Sequence, residues 1–212
     1  LVFVSLFKNK NVVISGASRG IGLSIAKKLA QHGANIAILA KTDIAHPKLP
    51  GTIYSAAKEI ENFGVKVIPI KTDIRFDDQV EKAINRVIQE FDSIDILINN
   101  ASAINLFNIE SLPMKRFDLM HDINVRGTYI CSKSCLPYLK KSSNPHILNL
   151  SPPINLKPKW FENFTAYTMS KYSMSMITLG MSSEYKKYNI AVNSLWTKTA
   201  INTSAISMPG GI

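Results

Sequence analysis

Short, continuous apolar runs recur along the chain, and longer stretches with helical periodicity separate them. A run such as Asn11–Ser15 is typical of a strand that is buried on both faces of a parallel sheet. A stretch such as Gly22–His32, whose apolar residues fall three or four positions apart, is typical of an amphipathic helix, and Gly33 ends it. The pattern therefore predicts strands and helices in alternation.

The same reading assigns the whole chain. Strands are expected at Asn11–Ser15, Ile36–Ala40, Val65–Ile70, Asp95–Ile98, His146–Leu150 and Ile190–Leu195. Helices are expected at Gly22–His32, Ile53–Phe63, Asp78–Phe91, Phe117–Leu139 and Phe164–Tyr188. The stretch Thr42–Thr52 contains two prolines and a glycine and is expected to be a loop. Strands that alternate with helices form right-handed βαβ units, so the order predicts an α/β fold with a doubly wound parallel sheet.

Length and composition fit one globular domain over residues 1–212, because 46% of the 212 residues are hydrophobic. Cys131 and Cys135 are too few for a disulfide framework and are expected to pack in a protein of a reducing, intracellular compartment. The histidines lack metal-ligand spacing, and no apolar run reaches the ~20 residues of a membrane span. We therefore expect no metal site and no transmembrane segment.

Basic residues outnumber acidic residues by 25 to 15, which gives a formal net charge of +10. A lysine-rich, solvated surface is the simpler interpretation of this excess. Attraction of a phosphorylated cofactor, an acyl thioester or a membrane surface is the functional alternative. The sequence contains no nucleic-acid-binding motif, so nucleic acid is not expected as a partner.

The first predicted strand ends in Ser-Gly-Ala-Ser-Arg-Gly-Ile-Gly, and a helix follows at once. Gly16 suits a tight turn, Gly20 lets the backbone approach a pyrophosphate, and Gly22 lets the helix pack against the sheet. The helix N-terminus then faces the anion. This run predicts a dinucleotide site whose contacts are Gly16, Ser18, Arg19, Gly20, Ile21 and Gly22.

The end of the second predicted strand bears on which dinucleotide fits. An acid there would bind the ribose 2′-hydroxyl of NAD, but this chain has Ala40-Lys41-Thr42. Lys41 and Arg19 offer two cations to a 2′-phosphate, although a solvated surface lysine is an equal alternative for Lys41. NADP(H) is therefore the predicted cofactor.

Residues beyond other strands complete the predicted cofactor site. Asp73 is expected to accept a hydrogen bond from the adenine amino group. Asn99, Asn100 and Ala101 suit a packed turn beside the adenosine, and stabilisation of the sheet is an equally good alternative for Asn99. The predicted cofactor contacts in this group are Asp73, Ile74, Asn100, Ala101 and Thr199.

Tyr167 and Lys171 lie about one helical turn apart in Ala-Tyr-Thr-Met-Ser-Lys. A free phenol has a pKa near ~10, and a neighbouring ammonium favours the phenolate and lowers that pKa. Tyr167 is therefore the predicted acid/base, and Lys171 the cation that tunes it.

Together these motifs resemble the short-chain dehydrogenase/reductase family over about residues 10–203. The family's order is kept by the glycine-rich turn, Asp73, Asn99-Asn100-Ala101, Asn124, Tyr167 and Lys171. The resemblance implies a Rossmann-like fold, a nicotinamide cofactor and hydride transfer between a carbonyl and an alcohol. It also implies that Tyr167 and Lys171 contact the cofactor and that Asn124 holds a water in a proton relay.

One branch of the family is similar to this chain at residues 46–54, 149–153 and 191–196. That likeness implies lipid-related substrates, a peroxisomal or mitochondrial location and a following sterol-carrier-like domain. The family's last strand and C-terminal segment, which shape the substrate pocket and subunit contacts, are expected beyond Ile212. We therefore expect a C-terminally incomplete domain, and a homo-oligomer stays open.

The family's catalytic serine is displaced in this chain. The position thirteen residues before Tyr167 is Ile154, and alignment on the fifth strand instead gives Pro152. Ser151 is therefore the candidate donor to the substrate oxygen, with a backbone-satisfying role at the strand end as its equal alternative. Thr197-Lys198 likewise replaces the Pro-Gly that the family usually has after the sixth strand.

The leading hypothesis is an NADP-dependent oxidoreductase that acts on a small carbonyl or alcohol. The alternative is an NADP(H)-binding protein with little catalysis that serves as a sensor or a lipid-handling partner. The displaced serine favours the alternative, whereas Tyr167, Lys171 and Asn124 oppose it.

Overall fold

Strands and helices alternate through the computed structural model, which describes residues 5–45, 50–197, 199, 201 and 203. The strands are β1 Asn11–Ser15, β2 Asn35–Ala40, β3 Val67–Lys71, β4 Ile96–Asn99, β5 His146–Asn149 and β6 Ala191–Ser194. The α-helices are α1 Gly20–Gln31, α2 Ile53–Glu61, α3 Asp77–Phe91, α4 Met114–Met120, α5 Thr128–Leu139 and α6 Thr165–Glu184. A π-helical segment, His121–Gly127, joins α4 to α5, and short 3-10 turns occupy Pro158–Trp160 and Lys186–Tyr188.

The strands form one parallel sheet in the order β3-β2-β1-β4-β5-β6. The chain winds outward in both directions from β1, which pairs with β2 on one side and with β4 on the other. This confirms the predicted α/β fold with a Rossmann-like doubly wound sheet. Ligands of such sheets bind at the carboxyl ends of the strands beside this switch point.

Each face of the sheet carries its own apolar core because neighbouring strand residues point to opposite sides. Val13 of β1 belongs to the core that α3, α5 and α6 cover, whereas Val12 and Ile14 belong to the core under α1 and α2. Cys131 and Cys135 are free, buried thiols of the first core. The sequence pattern of fully apolar strands follows directly from this two-sided burial.

The long helix predicted over residues 117–139 is helical throughout, but its residues 121–127 form a π-helical segment that the sequence did not predict. The Thr128 hydroxyl donates to the carbonyl of Asn124 at 2.7 Å inside this wider turn. Gly127 packs so closely that an added Cβ would lie 2.6 Å from Cδ1 of Ile74. A π turn adds one residue without changing the apolar character of the stretch, so periodicity could not show it.

Within the described ranges, no helix is both long and apolar enough to cross a lipid bilayer. The same part of the chain brings no three His, Cys, Asp or Glu side chains together in the manner of metal ligands.

Candidate active site

The glycine-rich turn leaves β1 at the carboxyl edge of the sheet and enters α1 at Gly20. Gly16 has a φ of +71°, and its N–H donates to the carbonyl of Leu39 at 2.8 Å. An added Cβ at Gly16 would lie 2.7 Å from Cα of Ala101, and one at Gly22 would lie 2.4 Å from Nδ2 of Asn100. Side chains are therefore excluded from both positions.

Asn100 fastens this turn to the end of β4. Its side-chain amide donates to the carbonyls of Ser15 and Gly16, each at 3.0 Å. In return, the Ser15 hydroxyl accepts from the N–H groups of Asn100 and Ala101, each at 3.1 Å. Sequence reasoning placed Asn100 beside the adenosine and did not identify Ser15, whereas the structure commits both Asn100 amide hydrogens to the turn itself.

Arg19 holds the segment before α2 against the turn. Its guanidinium donates to the carbonyls of Pro50 and Gly51 at 3.0 and 2.8 Å, and burial lowers its pKa. Gly51 has a φ of +90°, and an added Cβ would lie 2.7 Å from the carbonyl oxygen of Ser18. Arg19 therefore has a backbone-binding role besides the predicted contact with a 2′-phosphate.

Asp73 lies beyond β3 in a bidentate pair with Arg75, at 2.9 Å from Nε and 2.6 Å from Nη2. Burial by itself would raise the pKa of Asp73. The hydrogen bonds from Arg75, together with the charges of Arg75 and Lys41, bring that pKa below its ordinary value. Both carboxylate oxygens already have partners, so an adenine amino group would share them rather than meet a free acceptor.

Charged residues beyond β2 also differ from the expectation. Lys41 is exposed and lies within electrostatic reach of Asp73. Sequence reasoning missed Asp43, a carboxylate that pairs with Lys71 at 2.9 Å. Of the remaining predicted cofactor contacts, Ile74 is buried and Thr199 is exposed. Two parts of the predicted family features lie outside the described residues: residues 46–49 of the segment 46–54 that is similar to one branch of the family, and Lys198.

Tyr167 and Lys171 lie one turn apart on α6, as their spacing predicts. Burial raises the pKa of the Tyr167 phenol, and burial lowers the pKa of Lys171 to about 8. The Lys171 ammonium donates to the carbonyl of Leu150 at 2.6 Å. The sequence predicted a lowered pKa for Tyr167, whereas burial raises this pKa in the structure. The ammonium of Lys171 does not offset the burial, because it donates to the carbonyl of Leu150.

Asn124 occupies the π-helical segment and is completely buried. Its carboxamide pairs with both backbone groups of Ala103, at 2.8 and 2.9 Å, and donates to the Ser170 hydroxyl at 2.9 Å. The carboxamide of Asn124 therefore has no unused amide hydrogen to offer a relay water. The role of Asn124 in holding a water stays a prediction. Sequence reasoning did not identify Ser170.

Ser151 is buried at the end of β5, and its hydroxyl donates to that of Ser194 at 2.8 Å. Ser194 donates onward to Thr178 at 3.1 Å, and Thr178 to the carbonyl of Met174 at 2.9 Å. Ser151 thus has a structural partner, but this partner is a hydroxyl and not the backbone group of the alternative role, and its donation to a substrate oxygen stays a prediction. Its hydroxyl proton is already committed to β6.

Hydroxyl groups of α6 donate hydrogen bonds to backbone carbonyls of the segment after β5, residues 152–161. Ser175 donates to the carbonyl of Pro152 at 2.6 Å, and Tyr172 donates to the carbonyl of Asn155 at 2.8 Å. The outer side of this segment, with the turn after β6, carries exposed apolar side chains. We call this set the apolar rim: Ile154, Leu156, Trp160, Leu195 and Trp196.

The site combines a glycine-rich turn at the switch point of a parallel sheet with a partly buried tyrosine–lysine pair. These features define a dinucleotide-binding α/β protein of the Rossmann type. The family model for short chain dehydrogenases matches residues 10–207. The chain therefore belongs to the short-chain dehydrogenase family, a family of oxidoreductases, as its motifs predicted.

Individual relatives support the same assignment. Hydroxysteroid dehydrogenase-like protein 2 of Xenopus tropicalis is 60% identical over 198 residues, which are 93% of this chain and 47% of that protein. The chain thus spans about half the length of the curated relatives it matches. This likeness confirms the branch that the sequence segments indicated.

Solved structures of the family share the fold. A short chain dehydrogenase from Mycobacterium thermoresistibile is 53% identical, with a TM-score of 0.91 over 95% of this chain and 71% of that one. A xylitol dehydrogenase with bound NAD+ is 26% identical, with a TM-score of 0.81 over 90% of this chain and 70% of that one.

Proposed function

We propose that this chain is the catalytic domain of an NADP(H)-dependent oxidoreductase, which interconverts a carbonyl and an alcohol by hydride transfer. The observation that carries the proposal is the pair of Tyr167 and Lys171, which lie partly buried one turn apart on α6. Partial burial shifts the pKa values of both groups, and titratable groups with shifted pKa values are concentrated at functional sites.

A nicotinamide dinucleotide fits the residues that are present. The turn at Gly16 and Gly22 has no space for side chains, and the N-terminus of α1, which follows it, is suited to bind the pyrophosphate of the cofactor. The residues that would hold the cofactor are Gly16, Ser18, Arg19, Gly20, Ile21, Gly22, Lys41, Asp73, Ile74, Asn100, Ala101, Tyr167, Lys171 and Thr199. When bound, the nicotinamide supplies or takes up the hydride.

The charges beyond β2 favour NADP(H) over NAD(H). Lys41 stands at the position where an acid would bind a ribose 2′-hydroxyl, and Arg19 lies in the turn beside it. Asp43 is paired with Lys71 and Asp73 with Arg75, and these pairs offset two carboxylates that would otherwise repel a 2′-phosphate. The NAD+ bound by the xylitol dehydrogenase belongs to a relative of only 26% identity, so local charge is the better guide here.

Proton transfer falls to Tyr167. Because burial raises its pKa, the phenol is protonated at neutral pH and can donate to a carbonyl oxygen. Lys171, whose pKa is about 8, is largely cationic at pH 7 and would stabilise the phenolate left by that transfer. In the reverse direction the phenolate would take the proton of an alcohol.

The apolar rim favours a lipid-like substrate. Leu156 is 74% exposed and Trp196 is 57% exposed, in the segments that follow β5 and β6 at the carboxyl edge of the sheet. Lys157 and Lys159 lie among the rim residues, and Lys159 stands over the ring of Trp160 at 5.1 Å. An apolar chain with an anionic head would suit this mixture, and a peroxisomal or mitochondrial location would suit such a substrate.

A second function is favoured by one observation, the bond from Ser151 to Ser194. Pro152 offers neither a hydroxyl nor an N–H, so the usual second donor to the substrate oxygen is lacking at this position. A protein that binds NADP(H) and turns over little would be consistent with this loss.

Turnover with NADPH across ketone, aldehyde and acyl-thioester panels tests the proposal. Tyr167→Phe should lower kcat by ~10²–10⁴ on any substrate found, with unchanged NADPH affinity, because it removes only the positioned proton. Tyr129→Phe, an exposed tyrosine of α5, serves as the matched control. Normal turnover by Tyr167→Phe would exclude this mechanism, and NADPH binding without any turnover would favour the second function.

A further inference from the structure

Asn124 and Ser170 connect three parts of the active site through buried hydrogen bonds. Neither residue has any solvent exposure. The bonds run from Ala103, beyond β4, to Asn124 in the π-helical segment, then to Ser170 and to the backbone carbonyl of Tyr167 on α6. Ser170 therefore lies between the proposed acid/base and the residue of the proposed proton relay.

The chemistry of the carboxamide fixes its orientation. Oδ1 of Asn124 accepts from the N–H of Ala103 at 2.8 Å, whereas Nδ2 donates to the carbonyl of Ala103 at 2.9 Å and to Oγ of Ser170 at 2.9 Å. Both amide hydrogens and the carbonyl oxygen are thus in use. In the flipped amide, Oδ1 of Asn124 would face the carbonyl oxygen of Ala103, and Nδ2 would face the N–H of Ala103. Neither pair can form a hydrogen bond.

Ser170 reinforces this orientation and adds a second anchor for Asn124, because its own hydrogen is committed. Its hydroxyl donates to the carbonyl of Tyr167 at 2.8 Å, so its lone pairs face Asn124 and can only accept. Alanine at position 170 would leave Nδ2 of Asn124 with one unpaired hydrogen in a dry site, which is costly for a buried amide.

We propose that Ser170 is a positioning residue that sets Asn124 relative to Tyr167. Through Asn124 it also holds Ala103, and with it the loop after β4, at the edge of the site. The inference rests on the proposed function for its catalytic consequence. The hydrogen-bonding consequence at Ala103 is independent of that function.

Five variants test the inference on the full chain: Ser170→Ala, Ser170→Cys, Asn124→Ala, the double variant of Ser170→Ala with Asn124→Ala, and Ser173→Ala as control. Ser173 lies on the same helix, and its hydroxyl donates to the carbonyl of Met169 at 2.9 Å. Ser170→Ala should lower kcat on the order of 10- to 100-fold, since small misplacement of reacting groups has effects of this size. NADPH affinity and the control should be unchanged.

A double-mutant cycle separates positioning from general weakening of the fold. If Ser170 acts through Asn124, the double variant should be no slower than Asn124→Ala by itself. Ser170→Cys keeps the size but accepts hydrogen bonds weakly, so its kcat should fall between those of serine and alanine. Hydrogen exchange at the N–H of Ala103 should accelerate in Ser170→Ala and not in Ser173→Ala.

Unchanged kcat in Ser170→Ala, additive losses in the cycle, or unchanged exchange at Ala103 would each overturn the inference. A loss of kcat that disappears at lower temperature, in step with thermal stability, would also overturn it by showing a merely structural role. Absence of turnover in the unsubstituted protein would overturn the proposed function and the catalytic part of the inference together. In that case the exchange at Ala103 still decides whether Ser170 orients Asn124.

Discussion

Lys171 keeps its ammonium against the carbonyl oxygen of Leu150, inside a site that lowers its pKa to about 8 through burial. An unfolded lysine has a pKa near ~10.4. Between these values the unfolded chain binds more protons than the folded one, so this residue makes the fold more stable as pH rises. Below pH 8 the cost of burying the charge is fully present.

The residue-scale prediction compares the protein with its Lys171→Met variant. The free energy of unfolding of the unsubstituted protein, relative to the variant, should rise as pH increases from 8 to 10. The rise should level off above about pH 10, because the unfolded lysine, with a pKa of ~10.4, then loses its proton as well. Chemical denaturation at intervals of pH would measure the difference, and a flat profile would contradict a depressed lysine pKa.

The sequence identified the candidate acid/base residues more reliably than it identified the hydrogen-bond partners of polar side chains. The spacing of Tyr167 and Lys171 places them on one helix wherever that helix lies. Whether Ser151 donates to a substrate or to Ser194 depends on β6, which is 43 residues away. No local pattern carries that information.

At the scale of elements, the turn between β1 and α1 is the most constrained connection of the site. Its shape depends on contact with the end of β4, where Asn100 binds the carbonyls of Ser15 and Gly16. The glycine at position 22 leaves space for that amide.

Gly22→Ala should therefore destabilise the protein by about 1–3 kcal/mol, the usual range for overpacking, and should weaken NADPH binding. The new Cβ would lie 2.4 Å from Nδ2 of Asn100 and 2.8 Å from the carbonyl oxygen of Gly16. Urea denaturation measures the first effect and fluorescence titration the second.

Gly180→Ala is the matched control, because it is an exposed glycine within α6 with no heavy atom near its added Cβ. It should stabilise the protein by about 0.5–1 kcal/mol through higher helix propensity. Equal effects of the two substitutions would show that helix propensity, and not the contact with Asn100, governs position 22.

The helix after β4 shows where sequence patterns stop being informative. Its apolar residues predict a helix, but the π-helical segment at residues 121–127 is held by Thr128 and by the close approach of Gly127 to Ile74. Ile74 lies in the turn after β3, so contact between distant elements fixes this geometry. The same distortion brings Asn124 to Ser170.

At the scale of the whole molecule, the net charge of +10 attracts any anionic ligand, and only local charges can distinguish NADPH from NADH. NADPH should bind at least ~10-fold more tightly than NADH, since a charge-assisted contact with phosphate contributes roughly 1.5–3 kcal/mol. Lys41→Asp should narrow or reverse this ratio.

Lys58→Asp removes the same charge from the last turn of α2, away from the N-terminal end that adjoins the glycine-rich turn. Lys58→Asp should lower the affinities for NADPH and NADH slightly and by the same factor. Added salt should remove this long-range effect at a lower concentration than it removes the effect of Lys41→Asp. Equal affinities of the unsubstituted protein for NADPH and NADH, measured by titration, would rule out the cofactor preference.

The sequence by itself determined the order of strands and helices, the parallel sheet and the family, because these follow from local periodicity and from motifs with fixed spacing. The tertiary structure decided what each polar side chain binds. It gave Arg19 the carbonyls of Pro50 and Gly51, gave Asn124 the backbone of Ala103, and turned Ser151 toward Ser194. Apolar periodicity repeats within a few residues and is visible locally, whereas a buried hydrogen bond depends on two segments that meet only after folding.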